Sequence, residues 1–498
     1  MMAFLLNNNY QIPINMKKII QFSILSILLF LGACSTDNNV NNISPTTDDA
    51  INKFIWKGLN TYYLWQQDVP DLADKRFNNN DDELYSYFRG FSSSESVFEN
   101  LLLRPTDRFS WIVDDYVALE NSFQGITLNN GMEFGLVRYQ NSNTNIFGYV
   151  RYVVPNSSAA SNGVTRGMLF NSINGTQLTE SNYANLLFSN NANYTVNFAD
   201  YNAGNPTSNN NSIALTKTEL QENPIAVSKV IIDGSKKIGY VMYNQFSSSY
   251  DGELNAAFNT FKAANINDLI IDLRYNGGGS VRTATYLGSM VTGQFNGQLY
   301  SKQVWNDKVQ AAIDPSNFIN NFTNQINNGS INQTINSLNL SSVYIIVSGS
   351  SASASELVIN SLSAYIDVTL VGTTTVGKQV GSITLYDSDN LTKEGNNLNP
   401  NHKYAMQPLV LEISNKNNQN KPEGFTPGTN ISGVFLKEDF GNLGVLGERS
   451  DPLLDRTLIY ISTGAKFSNR NNILEFKEVY NSKLATPSSN NMYVDLKK

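Results

Sequence analysis

The sequence predicts a multi-domain α+β protein: a helical N-terminal cap, a β-rich middle unit, and an α/β core with a largely parallel sheet. Three observations carry this. At 498 residues the chain is too long for one ordinary domain. Apolar residues recur at helix spacing early in the chain, then give way to short β-like runs punctuated by Gly and Asn. Beyond about residue 223, strand and helix patterns alternate, which is the signature of βαβ units.

The start of the chain has its own character. Lys17 and Lys18 precede an apolar run, 19–31, that is too short to span a bilayer and is followed by small residues, so residues 1–33 read as a secretory signal with an upstream extension. Leu31-Gly32-Ala33-Cys34 resembles the lipobox of bacterial lipoproteins, which implies lipidation at Cys34 and a lipid-anchored place in a bacterial cell envelope. The membrane and leaflet stay open. Cys34 is also the sole cysteine, so no intramolecular disulfide can form. Residues 34–47, rich in Asn, Asp, Ser and Thr, read as a flexible tether. The balance of 35 Lys+Arg against 42 Asp+Glu, with no run of like charge, argues against a nucleic-acid partner.

Residues 48–118 form the predicted cap, with Ile51, Phe54, Ile55, Leu59, Tyr62 and Tyr63 on one helical face. Residues 119–222 are the β-rich unit. The run Phe147-Gly148-Tyr149-Val150-Arg151-Tyr152-Val153-Val154 reads as a strand. After it come Ser157-Ser158-Ala159-Ala160, Gly163-Val164-Thr165-Arg166-Gly167 and Ile173-Asn174-Gly175. This order resembles the core signature of PDZ domains, with Met168 where that family usually has Asp. The resemblance implies peptide binding and puts a carboxylate-binding loop at Phe134-Gly135-Leu136.

Residues 223–464 are the α/β core, and 465–498 carry no assignment. Two strand-to-helix junctions hold the chemistry: Asp272-Leu273-Arg274-Tyr275-Asn276-Gly277-Gly278-Gly279, and Ser348 through Glu356. Loops after the carboxyl ends of strands gather at one sheet edge. A serine at a helix start lies beside unsatisfied N–H groups, and a triple glycine lets backbone approach a substrate. Ser353-x-x-Glu356 is also a capping-box pattern, so the junction alone is compatible with a structural role. Counting narrows the base. His402 is the single histidine and no Gly-x-Ser-x-Gly elbow accompanies it, which disfavours a histidine triad and a lipase or esterase. A histidine metal cluster is excluded by number, Cys34 belongs to the signal, and nothing calls for a cofactor. Lysine remains. Lys378 follows the next strand of the same βαβ pattern, and a desolvated lysine there can take a serine proton.

Ser351-Ala352-Ser353-Ala354-Ser355-Glu356, Leu370-Val371-Gly372, Gly377-Lys378 and the Asp272–Gly279 block together resemble the carboxyl-terminal processing (tail-specific) serine proteases. The resemblance implies a Ser–Lys dyad, with Ser353 as nucleophile and Lys378 as general base. It also implies an oxyanion hole from the N–H groups of Ala354 and Gly278, and protein or peptide substrates whose tails the PDZ-like unit captures. Many members read Gly-Lys-Gly-x-Val-Gln; here Ser382 stands at the glutamine position, so either Ser382 or Gln379 orients the lysine, or it is held differently. The alternative function is a non-catalytic peptide-binding envelope lipoprotein that keeps the fold. The oligomeric state is not readable from the sequence.

Overall fold

The structure is a computed structural model that describes residues 46–464 and 474–494. The secretory signal, Cys34 and nearly all of the 34–47 tether lie outside the described residues. The first helix, Thr47–Tyr62, starts where the tether was expected to end: the Thr46 hydroxyl accepts from Asp49 N–H while the Asp49 carboxylate accepts from Thr46 N–H. That reciprocal cap makes Thr46 and Thr47 a helix start, not tether. Ile51, Phe54, Ile55 and Leu59 are buried on one face, against which helices Asp81–Phe88 and Ser94–Asn100 pack. The segment 48–118 is not wholly helical. Trp111–Val113 is a strand paired with Ala405–Gln407 of the core, and helix Tyr116–Phe123 runs across residue 118.

In the β-rich unit, strand Met132–Arg138 pairs antiparallel with Ile146–Val153, and the short helix Tyr183–Leu187 lies farther along the same unit. Phe134, Gly135 and Leu136 sit inside this strand, not in a loop as expected. Phe134 and Leu136 point into the unit's apolar core, while Gly135 leaves room for the Tyr149 ring. The turn that precedes the strand is at Asn129-Asn130-Gly131, closed by Gly131 N–H donating to Asn129 Oδ1.

The core sheet runs in the order Ile225–Asp233, Lys236–Tyr243, Asp268–Asp272, Ser342–Val347, Asp367–Gly372, Gly433–Phe435. Only the first pair is antiparallel; the other four pairings are parallel. The inner strands read as near-continuous apolar runs because helices cover both faces. The strands that carry the two chemical junctions, Asp268–Asp272 and Ser342–Val347, are direct neighbours, so their carboxyl ends open side by side. A second sheet contains Gly279–Ser280, Met492–Tyr493, Val380–Ser382 and Leu409–Ser414. The unassigned C-terminal segment therefore adds strands to two sheets: Met492–Tyr493 pairs parallel with Gly279–Ser280, and Glu478–Asn481 pairs antiparallel with Met132–Arg138. Among the described residues no helix is long and apolar enough to cross a membrane.

Candidate active site

Five serines, Ser348, Ser350, Ser351, Ser353 and Ser355, crowd the junction after Ser342–Val347; Ser348 Oγ donates to Arg274 O, and Ser350 Oγ has no hydrogen-bond partner among the described residues. Ser351 Oγ donates to Leu273 O at 2.8 Å and Ser355 Oγ donates to Asn276 O at 2.9 Å. These bonds stitch the serine junction to the glycine junction. Ser353 Oγ, fully buried, has no hydrogen-bond partner among the described residues. Ser353 also adopts φ +66°, ψ −116°, a region that disfavours side chains. Such strain costs on the order of 1–3 kcal/mol and concentrates at functional sites. Here it projects the serine from the sharp turn that opens helix Ala354–Ser363.

Glu356 ties the serine to the lysine. Its Oε2 accepts from Ser353 N–H at 2.9 Å and from Lys378 N–H at 2.8 Å. Its Oε1 accepts from Thr375 Oγ1 at 2.5 Å and from Gly377 N–H at 2.7 Å. Burial raises the Glu356 pKa, against four hydrogen bonds that favour the carboxylate. The Ser-x-x-Glu pattern is thus more than a helix cap, since one carboxylate fixes both backbones.

Lys378 is buried, and burial lowers its pKa to about 7 from an ordinary value of 10.5, although the charges of Asp107 and Glu356 pull the other way. Its Nζ sits 4.9 Å from the Phe109 ring centre and donates to Asn490 O at 2.5 Å. Among the described residues no carboxylate forms an ion pair with it. Asp107 stands nearby but is committed elsewhere, accepting from Tyr63 OH, Phe109 N–H and Ser110 N–H, each at 2.9 Å. Neither residue proposed to orient the lysine contacts its amine. Ser382 Oγ lies 2.6 Å from Gln407 Oε1 and 2.8 Å from Asn491 Oδ1, and its one proton is shared between these two acceptors. Gln379 is buried and its amide makes no hydrogen bond among the described residues.

On the facing junction, Asn276 Oδ1 accepts from Gly278 N–H at 2.9 Å, so that N–H is engaged within the loop. Gly279 N–H, by contrast, donates to Asn491 O at 2.5 Å. Ala354 N–H lies at the first position of its helix, where no intrahelical partner exists. Gly278 has φ +124°, and a Cβ there would lie 2.7 Å from Ser353 Cβ. The glycine is thus required by close approach to the serine as well as by its backbone conformation.

Behind the glycine loop lies a second buried cation. Arg274 is fully buried and fork-paired with Asp272, its Nη2 at 2.6 Å from Oδ2, and its Nη1 donates to Asp451 Oδ1 at 3.1 Å. These carboxylates hold its pKa well above the ordinary value. Glu438 sits 3.3 Å from Arg274 and 2.9 Å from Arg166, and its pKa is lowered to about 2 as the two guanidiniums outweigh burial. Arg166 belongs to the Gly163–Gly167 turn of the β-rich unit and also donates to Tyr275 OH at 2.8 Å. The network joins that unit to the glycine junction.

Sequence reasoning missed Asp107, Phe109, Asn490 and Asn491. The last two lie in the segment left unassigned, and no spacing pattern links any of the four to Lys378.

Residues 237–394 match the model of peptidase family S41, and residues 50–111 match that of the peptidase S41 N-terminal domain. No curated protein matches the chain. Among solved structures, a Bacteroides fragilis NCTC 9343 protein assigned to the S41 proteases is similar with a TM-score of 0.61 and 22% identity, over 83% of this chain and 97% of that one. A photosystem II D1 C-terminal processing protease is more distant, with a TM-score of 0.47 and 16% identity over 85% and 99% of the two chains. The first of these bears on the fold alone. The two matched segments follow one another along the chain in the order N-terminal domain, then peptidase domain.

Proposed function

We propose that the protein is a Ser–Lys endopeptidase of the carboxyl-terminal processing type, with Ser353 as nucleophile and Lys378 as general base. The observation that carries this reading is a buried lysine without an ion pair, fixed through Glu356 to a strained serine with a free hydroxyl. At pH values above about 7 the amine is mostly neutral and can take the Ser353 proton as Oγ attacks a peptide carbonyl. The N–H groups of Ala354 and of the glycine loop, with Gly279 the better aimed, face the developing oxyanion. The lysine then returns its proton to the departing amine, and water releases the acyl group by the same route.

The substrates in this reading are exported proteins or peptides, gripped near their C-terminal ends by the PDZ-like unit, with the protein held in a bacterial envelope through a lipidated Cys34. The side of Met132–Arg138 turned away from Ile146–Val153, filled here by Glu478–Asn481, suits strand addition by a peptide. The test is cleavage of an unfolded protein by the mature chain, compared with Ser353→Ala and Lys378→Ala. Each substitution abolishes cleavage while the melting curve stays cooperative; full activity in either overturns the dyad and favours a non-catalytic peptide-binding role.

A further inference from the structure

The residues that face Ser353 and Lys378 across the cleft come from the chain's own C-terminal segment. Residues Glu478–Asn481 add an antiparallel strand to the edge of Met132–Arg138, with Tyr480 opposite Leu136 and Asn481 opposite Gly135. The Tyr480 ring packs between Tyr183, at 5.4 Å, and Phe188, at 5.3 Å. Ser482 Oγ accepts from Phe134 N–H at 2.9 Å and donates to Glu133 Oε2 at 2.6 Å. Lys483 follows, 3.6 Å from Glu222. This is strand addition with an aromatic anchor, the way an extended peptide is bound at a sheet edge.

The same segment then enters the catalytic cleft. Ser489 O and Asn490 Oδ1 lie so near Gly277 that a Cβ there would meet them at 1.9 Å and 2.3 Å. Asn490 O takes the hydrogen bond of Lys378 Nζ, and Asn491 O takes that of Gly279 N–H. Asn491 O also lies 2.4 Å from where a Gly278 Cβ would be, with Ser353 Oγ 3.1 Å from that point. A peptide carbonyl thus occupies the general base, and the next one occupies an N–H of the glycine loop beside the serine.

We propose that residues 478–494 are a tethered stand-in for a peptide substrate, filling the strand-addition groove and the catalytic cleft at once, and that peptidase activity requires this segment to leave. The inference rests on the Ser–Lys reading for its consequence, but its geometry is tested without catalysis. A covalently linked segment acts at an effective concentration on the order of millimolar. A free peptide at micromolar concentration therefore competes poorly until the link is broken.

The experiment uses the full mature chain carrying a site-specific protease sequence between Gly464 and Leu474, cut after folding. In a Ser353→Ala background, the cut and washed chain is titrated with a fluorescent peptide of residues 474–494. Saturable binding, weakened about tenfold or more by Tyr480→Asp in the peptide, supports the proposal; no binding overturns it. A washed chain that loses its cooperative melting transition also overturns it, because the segment is then part of the obligatory fold. With Ser353 present, labelling by a fluorophosphonate and casein cleavage are compared before and after cutting. Rates about tenfold or more faster after cutting support it, and equal rates overturn it. Uncut Tyr480→Asp chain gives the same comparison without any cut, with faster labelling expected and an unchanged rate counting against the proposal. Peptide binding without labelling or cleavage in any form retains the occupancy and overturns the Ser–Lys reading instead.

Discussion

Two buried cations sit within one active-site neighbourhood, and the protein treats them in opposite ways. Arg274 is surrounded by Asp272, Asp451 and Glu438 and is locked in its charged form. Lys378, equally buried, meets a ring face and a peptide carbonyl, and its charge is disfavoured. Burial without compensation moves a titration toward neutrality, whereas burial with carboxylates fixes a charge. The first cation braces the loop that faces the serine; the second is free to exchange a proton. The side chains suit the division, since guanidinium offers a planar fork that stays protonated and an amine gives up its proton when desolvated.

Exchanging the two kinds of cation is the most direct way to break the comparison. Lys378→Arg puts a permanently charged group at the base position, and kcat/KM on an unfolded substrate is expected to fall by about 10⁴ or more. Measurable activity in this variant would show that no proton leaves Lys378. Next in size is Gly278→Ala, which forces a Cβ against Ser353 at a backbone φ that suits glycine. A loss of about a hundredfold in kcat is expected from displacing the oxyanion donors, together with a lowered melting temperature from the Cβ clash and the strained backbone.

Arg274→Lys tests the other half. It keeps the charge but loses the fork to Asp272, and a stability loss of about 2–4 kcal/mol is expected from denaturant titration. A loss under half a kcal/mol would mean the network contributes little to holding the loop. The smallest effects are in the pH profile. Since Lys378 must be neutral, kcat/KM should fall about tenfold per unit below its pKa of about 7 and level off above it. Asp107 raises that pKa through its charge, so Asp107→Asn should move the inflection to lower pH. A shift upward would remove Asp107 from the lysine's environment.

Much of this was legible because it depends on local order in the chain. Alternating strand and helix patterns located the junctions after Ser342–Val347 and Asp268–Asp272, and residue counting left lysine as the base. The family resemblance singled out Ser353 as the proposed nucleophile, and in the structure its neighbours Ser351 and Ser355 spend their hydroxyls on carbonyls of the opposite loop. The surroundings of Lys378 were not legible. Phe109 precedes it by more than 250 residues and Asn490 follows it by more than 100, and contacts of that kind leave no periodicity. Phe134-Gly135-Leu136 misled in another way. A glycine between two apolar residues reads as a turn, but here both neighbours face the core and the glycine makes room for Tyr149.

The contact between Lys378 and Asn490 bears on the order in which the protein is made. Synthesis runs from the N-terminus, so residues 478–494 are made after the strands and turns that form the cleft. A nascent chain can assemble both sheet junctions, the serine turn and the lysine pocket before Asn490 exists. Its cleft is then bare, and every bond that fills it is made at long sequence range, as between Ser122 and Ser488 at 2.7 Å. Long-range pairings of this kind form slowly. Closure of the catalytic cleft is thereby placed after the synthesis of the strands and turns that flank it.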